Sequence, residues 1–130
     1  MSPPIAVTAA DWRHYPLPEL RYLLPMERHF AAAEMAQLQQ GFLPDDMGDK
    51  WFIYWENNTL YFHRSWTGFA IYVVSFEVAA DGSGQIQACW VNGDPAQHQS
   101  FATSAEQHLL ASTIKSLLLN RPTAPTAPAK

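Results

Sequence analysis

The side chains with the clearest chemical potential lie in one short stretch, YFHRSWTG. Arg64 offers a planar fork of donors for a phosphate or a carboxylate, and His63 can serve as an acid, a base or a hydrogen-bond donor. Trp66 can stack on a base or another ring, while Ser65 and Thr67 can donate hydrogen bonds. These residue types predict a binding site at the end of a hairpin.

The same stretch also fits a structural interpretation, in which its side chains only stabilise a hairpin turn. Arg64 can stack on Trp51, its expected cross-strand neighbour, as a cation–π pair. Ser65 can bond the turn backbone, and His63 is then a simple cross-strand neighbour of Phe52. Because a hairpin end needs little more than this, we place the structural interpretation slightly ahead and leave both open.

The strands that position this stretch are predicted from its flanks. Aromatic, β-favouring runs lie on both sides of Asn57–Asn58, and asparagine tolerates the positive φ of a tight type I′ turn. The resulting hairpin pairs Tyr54 with Tyr61. The SWTG turn then returns a third strand, in which Ile71 pairs with Phe62.

Strand alternation divides this aromatic block between two faces. One face is apolar except for Arg64, so we expect the helices to cover it. The other face has three tyrosines and a histidine, and rings with polar tips suit a binding surface. Together with the hairpin edge, the candidate ligand- or partner-binding residues are Trp51, Tyr54, Tyr61, His63, Arg64, Ser65, Trp66, Thr67 and Tyr72.

Helical patterns flank the strands. Residues 25–40 predict a first helix that opens on a proline and stops at Gly41. A capping-box pattern at Thr103 or Ser104 predicts a second helix, which must end before Pro122. DGSG turns the chain into a fourth strand. The predicted fold class is α+β, a four-stranded antiparallel β-meander packed on an N-terminal and a C-terminal helix.

The chain of 130 residues has the length of one domain. Residues 1–24 are rich in proline and predict an extended segment over the surface. Residues 25–120 form the single α+β domain. Residues 121–130, with their repeated Pro, Ala and Thr, predict a disordered tail.

Composition argues against several classes of protein. The chain has a net charge of −4 and eight basic residues, so it lacks the basic stripe of a nucleic-acid-binding protein. The same charge disfavours binding to a membrane surface. The N-terminus does not read as a signal peptide and no apolar run has bilayer length, so we expect a cytoplasmic protein. Cys89 is the lone cysteine and the histidines are dispersed, so we predict no metal and no cofactor.

No nucleophile elbow, P-loop or dinucleotide-binding motif occurs in the sequence. We therefore assign no catalytic residue. The absence of such motifs favours a non-catalytic module over an enzyme, and it leaves catalysis open because some enzymes place their residues at distant positions.

The block DKWFIYWENNTLYFHRSWTGFAIYVVSFE, followed by WVNGDPAQHQ, resembles an uncharacterised family of small bacterial domains. The shared pattern is K-W-F-I-Y, then L-Y-F-H-R-S-W-T-G, then I-Y, over roughly residues 44–119. The family is associated with proteins that have ADP-ribose-binding macro domains or ADP-ribosylglycohydrolase modules. The resemblance implies a soluble accessory module near ADP-ribose chemistry and supplies no catalytic residue. The matching positions are Lys50, Trp51, His63, Arg64, Ser65, Trp66, Thr67, Gly68, Tyr72, Asn92, Asp94 and Pro95.

Three functions remain open at this point. The favoured one is a non-catalytic binding or interaction module that uses the tyrosine-bearing face and the hairpin edge. The second is a small-molecule domain for ADP-ribose or another nucleotide, with Arg64 on the phosphates and Trp66 or Trp51 on the base. The third is a toxin-neutralising protein or complex subunit that attracts a basic partner. The partner is thus an unknown protein or small molecule, and a homodimer by edge or face pairing is possible.

Overall fold

A computed structural model describes residues 6–99 and 103–119 of the chain. The predicted tail and the predicted end of the last helix near Pro122 lie outside the described residues. The elements in chain order are a 3-10 turn Ala9–Asp11, β1 Arg21–Leu23, β2 His29–Phe30, α1 Ala32–Gln40, β3 Trp51–Glu56, β4 Thr59–Arg64, β5 Ala70–Val78, β6 Gly84–Asn92, α2 Thr103–Thr113 and a π-helical continuation Ile114–Leu119.

The strands form one antiparallel sheet in the order β1-β6-β5-β4-β3. The predicted meander of four strands, β3 to β6, is confirmed, and so is the α+β class with two helices. The strand count is wrong, because two short strands join the free edge of β6. Strand β1 pairs with one end of that edge, at Asn92, and β2 pairs with the other end, at Gly84.

The β3–β4 hairpin follows the prediction. Asn57 and Asn58 have φ angles of 54° and 56°, as a type I′ turn requires. Tyr54 pairs with Tyr61, and Trp51 pairs with Arg64 at the far end. This turn therefore sets the register of the whole hairpin.

The predicted register between β4 and β5 is confirmed next to the turn, where the Arg64 N–H donates to the Phe69 carbonyl, and it is wrong from Phe62 onward. Phe62 pairs with Tyr72 and His63 pairs with Ala70, which leaves Ile71 as the extra residue of a β-bulge. Ile71 keeps its predicted place in the core, but the alternation after it is reversed. Tyr72, predicted on the face of Tyr54 and Tyr61, therefore lies fully buried in the core on the opposite face.

The first helix begins at Ala32, so its predicted first half is wrong. His29 and Phe30 instead form β2 against β6. Phe30 is fully buried and its ring packs on Phe76 at 5.9 Å between centroids. Cross-strand pairing and this burial outweigh the local helical pattern. The predicted stop is confirmed, because Gly41 ends the helix at a φ of +73°.

Both helices pack on one face of the sheet. Their buried side chains join the inward side chains of β3 to β6 in a single core that includes Met35, Leu38, Leu110, Ile114 and Leu118. Among the helices that the structure describes, none covers the opposite face at the tyrosines, where the extended segment 12–17 lies instead. Within the described residues, the helices are too short and too polar to cross a lipid bilayer.

Candidate functional site

The residues of YFHRSWTG are divided among three environments. Arg64 lies on the helix-covered face, where its guanidinium carbon is 4.1 Å from the centre of the Trp51 ring. Burial lowers the pKa of Arg64, while Tyr72 and Glu106 act in the opposite direction. This is the cation–π pair of the structural interpretation.

The hydroxyls of Ser65 and Thr67 both form hydrogen bonds with backbone groups. The Ser65 hydroxyl donates to the Asp49 carbonyl at 2.7 Å, and the side chain is buried. The Thr67 hydroxyl accepts from the Phe69 N–H at 3.2 Å. The Thr67 bond is local and typical of turns, whereas the Ser65 bond joins the turn to the loop before β3.

Trp66 lies at a separate surface, the hairpin-end groove. Its side chain is 63% exposed, and its indole N–H donates to the Met47 carbonyl at 3.2 Å. This groove encloses about 480 Å³ and is lined by Trp12, Arg13, Pro44, Asp45, Asp46, Met47, Ser65 and Trp66. Arg64 does not line it, so Arg64 and Trp66 are not brought into one pocket; Trp51, the alternative residue for the base, stacks on Arg64 itself.

Three of the other candidate residues meet in a second groove on the face opposite the helices, here called the sheet-face groove, while Trp51 and Tyr72 belong to the core. It encloses about 510 Å³ between the sheet and the N-terminal segment. Its floor includes the predicted residues Tyr54, Tyr61 and His63. The full lining is His14, Tyr15, Pro16, Leu17, Arg21, Tyr54, Tyr61, His63, Ala70 and Val73.

The N-terminal wall of this groove is fixed to the hairpin by hydrogen bonds. The Trp12 indole N–H donates to the Ser65 carbonyl at 2.8 Å, and the Tyr15 N–H donates to the Gly68 carbonyl at 2.9 Å. Gly68 has a φ of +81°, and a side chain there would meet Arg13 at 2.6 Å. The glycine of SWTG therefore lets the N-terminal segment lie close to the turn.

Three rings lie nearly parallel on the floor. Tyr54 and Tyr61 stack with centroids 4.7 Å apart, and Tyr54 and His63 stack at 5.7 Å. Burial, with the nearby Tyr61 and Glu56, raises the pKa of Tyr54 to about 12. The Tyr54 hydroxyl therefore stays protonated and can donate or accept a hydrogen bond at neutral pH.

His63 has an unusual environment at the base of the groove. Its side chain is only 1% exposed, and its Nδ1 lies 2.9 Å from the Gly68 carbonyl. Burial lowers the pKa of His63 to about 4, so the ring is neutral at pH 7. Because a carbonyl can only accept, Nδ1 holds the proton and Nε2 is an acceptor. That Nε2 atom is buried and has no hydrogen-bond partner among the described residues.

Arg21, at the far end of the groove, has a fixed position. Its Nε donates to the Pro18 carbonyl at 2.7 Å, and its terminal NH2 nitrogen donates to the Leu17 carbonyl at 2.9 Å. These bonds use two of the five guanidinium donors. Among the described residues, no carboxylate forms an ion pair with Arg21.

A polar cluster on the opposite face was not predicted from the sequence. Glu106, which follows Thr103 by three residues in the predicted capping box, is fully buried beneath α2. It accepts hydrogen bonds from Tyr72 at 2.5 Å and from Tyr22 at 3.3 Å, and it lies 2.9 Å from His98. Nothing in the local sequence distinguishes this glutamate from an exposed one.

Metal binding and thiol chemistry have no support among the described residues. Among the described residues, no three His, Cys, Asp or Glu side chains are placed to hold a metal ion. Cys89 is buried, and burial raises the pKa of its thiol to about 12, which makes it unreactive at neutral pH.

Comparison with known proteins gave no relative. No protein-family model, no curated protein and no solved structure matches this chain. The resemblance to the bacterial domain family therefore stays a prediction.

Proposed function

We propose that the protein is a non-catalytic binding module and that its ligand occupies the sheet-face groove. The observation that supports this most directly is the buried Nε2 of His63, which has no partner and lies in a residue that lines the groove. A buried acceptor without a donor costs about 1–3 kcal/mol, so a ligand that supplies a donor would recover that energy.

The dimensions and lining of the groove agree with this function. Small-molecule sites in proteins enclose roughly 300–1,000 Å³ and combine apolar walls with a few polar groups. Here about 510 Å³ is bounded by ring surfaces, Leu17, Ala70 and Val73, with His63 and Arg21 among its polar groups. The geometry supports binding of a ligand with at least one ring.

The test is a groove-filling substitution. Val73 lines the groove and is partly exposed, so Val73→Trp should occupy the volume without disturbing the core. Ser75→Trp is the matched control, since Ser75 points to the same face of β5 two residues away and does not line the groove.

The measurement is a ligand-observed NMR screen of ring-containing fragments against the wild type and both variants. We expect a set of fragments to bind the wild type and Ser75→Trp and to lose binding to Val73→Trp. The proposal fails if no fragment binds the wild type, or if binding survives in Val73→Trp.

A second candidate function is protein docking at the hairpin-end groove. The observation that favours it is the exposure of Trp66 and Met47, at 63% and 76%, side by side. Exposed tryptophan is enriched at the energetic centres of protein interfaces. Selection of displayed peptides on the wild type, with Trp66→Ser as the counter-target, would test it. Peptides that bind both forms equally would exclude this surface.

A further inference from the structure

We propose that the sheet-face groove selects a planar ring compound with an O–H or N–H donor at one end and an anionic group at the other. This inference rests on the proposed function and adds the chemistry of the ligand. Two polar groups that line the groove from strands three positions apart in the sheet define it: the Nε2 acceptor of His63 on β4 and the guanidinium of Arg21 on β1.

His63 specifies the donor end. Because its Nδ1 proton is engaged with the Gly68 carbonyl, the ring cannot change tautomer to offer a donor from Nε2 without losing that bond. Only a hydrogen-bond donor can therefore satisfy Nε2. An acceptor or an apolar atom placed against it leaves the lone pair unpaired, and this difference gives the site its selectivity.

Arg21 specifies the anionic end. Its two backbone hydrogen bonds fix the guanidinium on the groove wall, so little side-chain freedom is lost when it binds a further group. The remaining N–H donors and the unpaired positive charge fit a carboxylate or a phosphate. The net charge of −4 on the whole chain works against anions in general, so this attraction is local to Arg21.

The separation of the two ends sets the length of the ligand. His63 pairs with Ala70, the Asn92 amide donates to the Ala70 carbonyl, and Asn92 pairs with Arg21. Three steps between neighbouring strands separate the backbones by about 14 Å. The two side chains both line the groove and take up part of that distance, so one ring with a short acidic chain can span the remainder.

His14 covers the donor end. Its ring lies edge-on to the His63 ring, with centroids 5.6 Å apart, and also contacts Tyr54. The His14 side chain is exposed, and its one hydrogen bond among the described residues joins Nδ1 to the carbonyl of Trp12. A ligand donor reaches Nε2 when the His14 ring turns aside, so His14→Ala should keep or strengthen donor selectivity.

Three probes that differ by one group each test the chemistry. The parent is 3-(4-hydroxyphenyl)propionate, the second is 3-phenylpropionate, which lacks the donor, and the third is 3-(4-hydroxyphenyl)propanamide, which lacks the charge. Their Kd values are measured by protein-observed NMR titration. We expect the parent to bind the wild type about tenfold more tightly than either analogue.

Two variants assign each preference to its residue. His63→Phe should abolish the preference for the hydroxyl and keep that for the carboxylate, and Arg21→Gln should do the reverse. Arg13→Gln is the control for Arg21, because Arg13 is exposed and lines the other groove. If His63→Phe fails to fold, the three probes are compared on the wild type, Arg21→Gln and His14→Ala. Arg21 and His14 are exposed, so these variants should fold, and their Kd values still test the proposed ligand chemistry.

The outcomes separate this inference from the proposed function. Equal Kd values for the three probes, or preferences that persist in the two variants, overturn the ligand chemistry. The same holds if the probes fail to bind a protein that binds other fragments in a Val73-dependent way. A protein that binds no fragment at all contradicts the proposed function itself.

Discussion

His63 shows how one side chain can combine a structural and a functional role. Its Nδ1 proton holds the Gly68 carbonyl, which also accepts the N–H of Tyr15 and so joins the turn to the N-terminal segment. Its Nε2 lone pair faces no donor among the described residues. A side chain needed only for packing would be an apolar ring such as phenylalanine, which avoids the cost of that lone pair.

The protonation of His63 makes stability depend on pH. Burial lowers its folded-state pKa to about 4 from the ordinary 6.5, so between these values the unfolded chain binds more protons. The free energy of unfolding is highest, with respect to His63, above pH 6.5, where the ring is neutral in both states. It decreases as the pH falls from 6.5 to 4, and below pH 4 His63 causes no further decrease. Between pH 7 and pH 5 we expect His63 to account for a loss of about 2 kcal/mol in the free energy of unfolding.

Urea denaturation at pH 7 and pH 5 measures this loss. His63→Phe should show a smaller pH-dependent decrease than the wild type, by that amount. His108→Gln is the control, because His108 is exposed on α2 and should leave the wild-type decrease unchanged. An identical decrease in wild type and His63→Phe would show that His63 is not buried as a neutral ring.

At the scale of elements, one extra residue in β5 decides which side chains form the groove. Since side chains alternate along a strand, the bulge at Ile71 moves Tyr72 into the core and places Val73 in the groove. The sequence predicts the β3–β4 register well, because Asn57 and Asn58 select one turn type. The pairing next to SWTG follows the prediction, since His63 pairs with Ala70, but no local pattern marks Ile71 as an extra residue.

Residues of the candidate site could be predicted from the sequence only where the strands that hold them could be predicted. Tyr54, Tyr61 and His63 were found because they alternate along well-defined strands. His14 and Arg21 were missed, since the path of the N-terminal segment depends on contacts with residues far along the chain. Their positions are set by long-range pairing that no local pattern encodes.

The end of α1 offers a test of backbone geometry. Gly41 has a φ of +73°, and a side chain there would lie 2.4 Å from the Ile53 carbonyl oxygen. We expect Gly41→Ala to lower the free energy of unfolding by at least about 2 kcal/mol, because it adds backbone strain and a clash in the link to β3. Urea denaturation gives this value.

Gly48→Ala is the matched control in the loop that follows. Gly48 has no positive φ, and an added side chain would meet only an oxygen of the flexible Asp46 side chain, at 3.1 Å. It should cost less than about 1 kcal/mol. Equal losses in the two variants would contradict the role given to Gly41.

At the scale of the whole molecule, the cluster around Glu106 joins parts of the chain that are distant in sequence. Its carboxylate accepts from Tyr22 on β1 and Tyr72 on β5, and it contacts His98 in the loop after β6. The second helix, two strands and a loop therefore meet at one buried carboxyl group. Satisfied polar clusters of this kind make a core specific for one arrangement.

Removal of this carboxylate should destabilise the fold. We expect Glu106→Ala to lower the free energy of unfolding by roughly 3 kcal/mol, because the buried Tyr72 hydroxyl and the His98 ring lose this partner. Glu77→Ala is the control, since Glu77 is exposed and bonds only Gln85 among the described residues, and it should cost about 0.5 kcal/mol or less. A similar loss in both would show that the cluster contributes no special stability. The measurement is thermal and urea unfolding.

The pairing of β1 with β6 also has a consequence for the order of folding. The two strands are about 70 residues apart, whereas β3 to β6 are joined by short turns. The ribosome makes β1 before any of its sheet partners, so the first strand made is among the last to be paired. The N-terminal wall of the sheet-face groove thus assembles after the meander, and a bound ligand would hold in place the segment that docks last.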